Sequence, residues 1–176
     1  TPCDMRLSTY DGVCLMMDET DKFILDACCG GRQFWWNKEH PNAVYLDIRS
    51  VEPGTLEFQP NWCIQPDVLG DYRDLPFDDE TFRMVVWDVP HKVKPDKGLI
   101  TMKYGHLGDE WKSDLTQGFK EVMRVLKPYG TLIFKWADFN VKVPHILECF
   151  TQDPLVETRT KKGVNNTYWF VFMKGA

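Results

Sequence analysis

The chain has 176 residues, with 21 Lys and Arg against 26 Asp and Glu, for a formal charge of −5. That balance excludes binding of long nucleic acid through a generally basic surface, which rests on many Lys and Arg contacts to phosphate. Hydrophobic content of 43% and charged content of 27% suit one globular domain with a buried core, and no apolar run approaches the roughly 18 residues of a membrane-crossing helix.

The expected domain is 1–176, with residues 1–20 poorly defined. The chain opens on Thr1, which reads as a trimmed or tagged terminus, and no signal-peptide pattern is present. The six cysteines, at 3, 14, 28, 29, 63 and 149, form no Cys-x-x-Cys pair. They read as reduced thiols of a cytoplasmic protein, with no metal site.

Residues 23–26 read as a first buried strand that ends in Asp26 and breaks into Cys28-Cys29-Gly30-Gly31. Two glycines there let backbone approach a ligand closely. A helix is expected to start at 34–40, a second strand at 43–48, and a weaker third at 62–68, interrupted by Pro66. Residues 82–88 are a strong fourth strand, apolar enough to be buried on both faces. The long irregular segment 92–110 carries Pro95, Gly98, Gly105 and Gly108, and a loop of that length is usually functional. Apolar residues at 111, 115, 119, 122, 123 and 126 predict a helix. Pro128-Tyr129-Gly130 breaks it before a fifth strand at 131–136. A helix at 143–150 and two strands at 155–160 and 167–173, joined as a hairpin, complete the chain. The fold class is α/β: a Rossmann-like, open, mostly parallel seven-stranded sheet with a C-terminal antiparallel hairpin and helices on both faces.

Three acids follow the strands in a nucleotide-binding order. Asp47 lies 21 residues beyond Asp26, a spacing that suits an acid on ribose hydroxyls. Ile48 beside it is placed to pack on adenine. Asp71 can accept from the adenine amine and Tyr72 can stack on the ring. Singly, each has a plainer reading: a turn, a solvated strand end, a helix cap.

Together, L-D-A-C-C-G-G, Y-L-D-I-R, G-D-Y-R-D-L-P-F, V-V-W-D-V-P-H and R-V-L-K-P-Y-G-T-L-I-F-K-W resemble the class I S-adenosylmethionine-dependent methyltransferases, from about Phe23 to the end of the chain. Cys28-Cys29-Gly30-Gly31 departs from that family's usual Gly-x-Gly. A nicotinamide dehydrogenase fits less well, because no G-x-G-x-x-G follows the first strand. The resemblance implies S-adenosylmethionine as cofactor. Asp26 would hold its methionine ammonium, with Ala27, Cys28, Gly30, Asp47, Ile48, Asp71, Tyr72 and Asp88 completing the site.

Asp88-Val89-Pro90-His91 resembles the acid-Pro-Pro-aromatic motif of methyltransferases acting on exocyclic amines of adenine or cytosine, such as small phage and prophage enzymes. An aryl amine is a poor nucleophile because its lone pair is delocalised into the ring. An acid and a backbone carbonyl accepting both N–H bonds pull the nitrogen toward tetrahedral geometry. Asp88 and the Val89 carbonyl fill those roles, Pro90 fixes the turn, and His91 is the stacking platform or a general base. Val89 stands where the first proline is usual, and His91 replaces the usual aromatic.

Trp35, in Phe34-Trp35-Trp36, is a candidate wall of the substrate pocket, with core packing as its plainer reading. Lys135 and Trp136 end the fifth strand on the active-site edge and are substrate candidates, Lys135 for a phosphate or substrate oxygen, with a snorkelling surface lysine as its plainer reading. Lys103 and Tyr104 belong to a basic, aromatic-containing segment that suits a lid on a nucleic-acid backbone. Thr1-Pro2-Cys3 contains a Pro-Cys pair but precedes the first motif and is set aside. The expected activity is methyl transfer to a base amine, adenine in DNA foremost, with a homodimer or partner subunit supplying target recognition and no membrane involvement. A small-molecule or protein methyltransferase, and a degenerate binding subunit of the same fold, remain open alternatives.

Overall fold

The computed structural model describes residues 8–10, 13–15, 22–162 and 165–176. Thr1-Pro2-Cys3 lies outside them. A short antiparallel pair, β1 (Ser8–Tyr10) and β2 (Val13–Leu15), precedes the main sheet. The sheet contains β3 (Ile24–Asp26), β4 (Ala43–Asp47), β5 (Val68–Leu69) and β6 (Phe82–Trp87), then β7 (Leu126–Ala137), β8 (Val156–Lys162) and β9 (Asn165–Met173). Its order is β5-β4-β3-β6-β7-β9-β8. The first five strands are parallel, and β9 runs antiparallel to both β7 and β8. The seven strands and the terminal hairpin follow the sequence pattern.

Side chains alternate across this sheet. Leu25, Leu46, Val85, Leu132, Phe134, Phe170 and Phe172 share one core with Leu115, Phe119, Val122 and Val125 of α2 (Trp111–Val125). Those four helical positions fall on one stripe. Ile146 of α3 (Val143–Leu147) joins the same core. Ile24, Ala43, Tyr45 and Met84 face the other way, against Trp35 and Cys29. Helices were expected on both faces. Among the described residues α2 and α3 serve one face, and segment 27–42 covers the other over β3 and β4.

That segment also corrects the helix expected at 34–40, which is a run of turns. Arg32, at φ 53°, lays its guanidinium 3.7 Å from the Tyr45 ring centroid and donates to the carbonyls of Lys38 (2.6 Å) and Gln65 (2.8 Å). Asn37 accepts from the Glu39 amide. Such side-chain bonds give the backbone an alternative to a helical ladder, and Pro41 supplies no N–H to extend one. The strand expected at 62–68 shrinks to Val68–Leu69 beyond Pro66. Trp62 and Ile64 instead pack with Leu56 and Val51 in a satellite cluster. Within the irregular segment 92–110 a short helix forms, α1 (Leu99–Tyr104). At the start of β7, residues 127–130 bulge from the pairing with β6, since Phe82 opposes Leu126 but Met84 opposes Thr131.

Gly118 lets α2 approach the sheet. A Cβ at this position would lie 2.6 Å from both Trp87 and the Tyr72 ring. Gly118→Ala, although better for an isolated helix, is therefore expected to destabilise the protein by about 1–3 kcal/mol through overpacking, measured by urea unfolding. An unchanged or raised midpoint would show that the helix shifts freely.

Candidate functional site

The C-terminal ends of β3, β4, β5, β6 and β7 lie along one edge of the sheet, where open α/β sheets bind ligands. A cleft of about 680 Å³ opens there, within the ordinary range for a ligand site. Ala27, Cys28, Gly30, Asp47, Ile48, Asp71, Tyr72 and Asp88 line it, as do Val89, Pro90, His91, Tyr104 and Lys135.

At the β3–β4 end, Gly30 has φ 47°, a conformation that favours glycine. Its amide donates to Asp47 Oδ2 at 2.9 Å, and the Arg49 amide donates to Asp47 Oδ1 at 2.9 Å. Asp47 therefore pins the glycine turn, and each oxygen keeps a second lone pair. A Cβ at Gly30 would meet no protein atom within 4 Å, so this backbone faces open cleft. Gly31 serves packing: a Cβ there would lie 2.9 Å from Trp62 Nε1. Burial, with Asp47, Asp26 and Asp88 nearby, pushes the Cys28 thiol well up, so it stays protonated.

Asp26 does not line the cleft. It is fully buried, and its carboxyl accepts from Trp35 Nε1 at 2.7 Å and from the Cys28 amide at 3.3 Å. Burial raises its pKa to about 7, with Asp88 and Asp47 adding to the shift against those two hydrogen bonds. The expected grip of Asp26 on a methionine ammonium is thus replaced by a structural bond that holds segment 27–42 to β3.

At the β6–β7 end, Asp88 lies between Lys135 and His91. Lys135 Nζ donates to Oδ2 at 2.7 Å, and His91 Nε2 stands 3.1 Å from Oδ1 without hydrogen-bond alignment. Asp88 Oδ1 and His91 Nδ1 are buried with no hydrogen-bond partner among the described residues. Burial pushes the Asp88 carboxyl up, but His91 and Lys135 outweigh it and hold the group below the usual carboxylate value. The His91 ring meets Trp136 edge-on at 5.1 Å.

Lys135 is thus paired with Asp88 while lining the cleft, where a phosphate or substrate-oxygen contact, or a plain surface lysine, was expected of it. In Lys135→Met the carboxyl stays buried and loses its cation, so the Asp88 pKa should rise above the ordinary aspartate range, read by carboxyl ¹³C NMR. A depressed folded-state pKa stabilises at pH above the unfolded value and ceases to do so as pH falls through the folded value. The variant should therefore lose stability at neutral pH and lose little in acid. An unmoved Asp88 titration would assign the whole effect to His91.

Three substrate candidates fall elsewhere. Trp35 packs on Tyr45 with ring centroids 5.1 Å apart, away from the cleft. Trp136 is buried in the core, where its Nε1 donates to the Val141 carbonyl at 2.9 Å. The Lys103 ammonium lies 5.6 Å from the Trp62 ring centroid, while the Lys103 carbonyl accepts from Arg49 Nη2 at 2.9 Å. Sequence reasoning missed three charged lining residues, Arg49, Arg73 and Asp114. Arg49 stands in the quoted Y-L-D-I-R and could have been singled out. Asp114 has no local signal beyond an acid in a helix's first turn.

No protein-family model matches the chain, and no curated protein matches it in sequence. Solved structures match it in fold. A protein from Pyrococcus horikoshii OT3 is 20% identical, with TM-score 0.58 over 86% of this chain and 81% of that one. A SAM-dependent methyltransferase from Methanosarcina mazei is 15% identical, with TM-score 0.55 over 88% and 93%. The N-methyltransferase NodS from Bradyrhizobium japonicum WM9, in complex with S-adenosyl-L-homocysteine, is 10% identical, with TM-score 0.53 over 88% and 77%. The chain has the fold of the class I S-adenosylmethionine-dependent methyltransferases.

Proposed function

We propose that the protein is an S-adenosylmethionine-dependent methyltransferase whose acceptor is an exocyclic amine of a nucleic-acid base, adenine in DNA foremost. One observation carries the acceptor class. Asp88 Oδ1 has no hydrogen-bond partner, and no donor reaches the adjacent Val89 carbonyl, among the described residues. Both acceptors are buried, so an amine reaches them by displacing the His91 ring that stands 3.1 Å from Oδ1, and it then finds one acceptor for each N–H. Accepting both draws electron density onto the nitrogen, and Lys135 keeps the carboxylate ionised for that task. Pro90 rigidifies the turn.

The residues present fit the cofactor. Gly30 offers backbone to open space, Asp47 has lone pairs for two ribose hydroxyls, and Ile48 and Tyr72 offer apolar surface. When bound, S-adenosylmethionine supplies a methyl group on a sulfonium, a leaving group good enough that alignment dominates the barrier. His91 walls the acceptor end and excludes water. A partner subunit or second copy supplies target recognition.

A small aryl amine is the second reading, favoured by pairing within the cleft: Lys92 is bound to Asp96, Lys135 to Asp88, and Arg73 to Asp71. Salt separates the two. Methyl transfer to duplex DNA should fall steeply as salt rises, because phosphate contacts release counterions. Transfer to a neutral amine should hardly change. S-adenosylhomocysteine should bind with measurable heat, and Asp47→Ala should weaken it by about tenfold. A wild-type protein that gives no heat and no protection from unfolding would overturn the cofactor assignment.

A further inference from the structure

We infer that Asp114 accepts the exocyclic amine of the cofactor's adenine, and that Asp71 serves only to hold Arg73. The inference rests on the cofactor assignment above and names a residue that determines its specificity.

Asp71 is already engaged by Arg73 at both oxygens. Its Oδ1 takes the Arg73 backbone N–H at 2.9 Å and Arg73 Nε at 3.0 Å. Its Oδ2 takes Arg73 Nη2 at 2.5 Å and shares Nε at 3.0 Å. A carboxylate offers about four lone-pair positions, and three Arg73 N–H groups engage both oxygens, with Nε shared between them. These hydrogen bonds hold the Asp71 carboxyl below the usual value, against its partial burial. An adenine amine at Asp71 would have to displace a bidentate guanidinium, the strongest pairing a carboxylate forms in proteins.

Asp114 is differently placed. Only its Oδ1 meets Arg73, at 3.0 Å from Nη1, and Oδ2 has no partner among the described residues. The side chain is largely buried yet lines the cleft with Tyr72 and Ile48. Its position follows from packing. Asp114 lies one turn before Gly118, on the same face of α2, and Gly118 is pressed against Tyr72. Gln117 Nε2 donates to the Arg73 carbonyl at 3.2 Å. The start of α2 is thus docked on segment 71–73, which brings a half-free carboxylate to the end of the cleft where adenine is expected.

The test compares S-adenosyl-L-homocysteine with S-inosyl-L-homocysteine by calorimetry. The inosyl analogue carries an oxygen acceptor in place of the amine, and a carboxylate opposite it is repulsive. Wild type should prefer the adenosyl compound by at least about tenfold. Asp114→Asn can donate its amide to the 6-oxo group and still accept from Arg73, so the preference should shrink by about tenfold or reverse. Asp71→Asn should leave the preference within about twofold, whatever it does to both affinities. Asp114→Ser replaces Asp114→Asn should the latter not fold. Loss of preference in Asp71→Asn but not at Asp114, or no preference in wild type, would overturn the inference while leaving the cofactor assignment standing. Failure of wild type to bind either compound would overturn both.

Discussion

Asp88→Ala should reduce methyl transfer by about 10²–10³ while changing S-adenosylhomocysteine affinity only slightly. Removing one preorganised acceptor from a site where charge develops costs a factor of that order. On the proposed reading the loss falls on turnover, because the Val89 carbonyl would remain to accept from the amine and the residues proposed to hold the cofactor lie after β3, after β4 and in segment 70–73. Asp88→Asn should do little better, because its amide turns a donor toward either Lys135 or the incoming amine. Single-turnover transfer beside a calorimetric affinity separates the two quantities. Equal loss of both would make Asp88 a binding residue, and unimpaired transfer would remove it from the chemistry.

The second large effect concerns stability. Asp26 is buried with a pKa of about 7 against an ordinary 3.8. A folded-state pKa above the unfolded one means that the native state holds the proton more tightly. Stability therefore declines as pH rises from about 4 to about 7, and the whole decrement is present at higher pH. Asp26→Asn keeps an acceptor for Trp35 Nε1 and carries no charge. It should flatten that decline and stabilise the protein at pH 8 by about 2 kcal/mol. That figure discounts the full linkage value, on the order of 4 kcal/mol, for an amide N–H facing the Cys28 N–H. Urea unfolding at pH 5 and pH 8 measures it. Equal slopes in both proteins would show that Asp26 does not titrate in this range.

The sheet was legible because strands buried on both faces carry nearly unbroken apolar runs, as in Phe82–Trp87. The acids at strand ends and the terminal hairpin stood out for the same reason, since each interrupts such a run. Side-chain direction was harder to read. Asp26 follows Ile24 onto the face away from α2, where Trp35 meets it, although it ends its strand beside the cleft. Within Phe34-Trp35-Trp36, local pattern cannot say that Phe34 lines the cleft, Trp35 packs inward and Trp36 projects fully into solvent. Segment 34–40 lacks a helix because of long-range bonds from Arg32 to Gln65 and Tyr45, which no local window contains. Asp114 and Arg73 meet across 41 residues, so the guanidinium that Asp71 and Asp114 share is a property of the fold alone.

The most direct test incubates wild-type protein with methyl-labelled S-adenosylmethionine and unmethylated duplex DNA, then digests the DNA to nucleosides. The proposed function predicts label in N6-methyldeoxyadenosine, reduced by about 10²–10³ with Asp88→Ala. Label on no nucleoside, from a protein shown to bind S-adenosylhomocysteine, would contradict a DNA-base amine as the unaided acceptor.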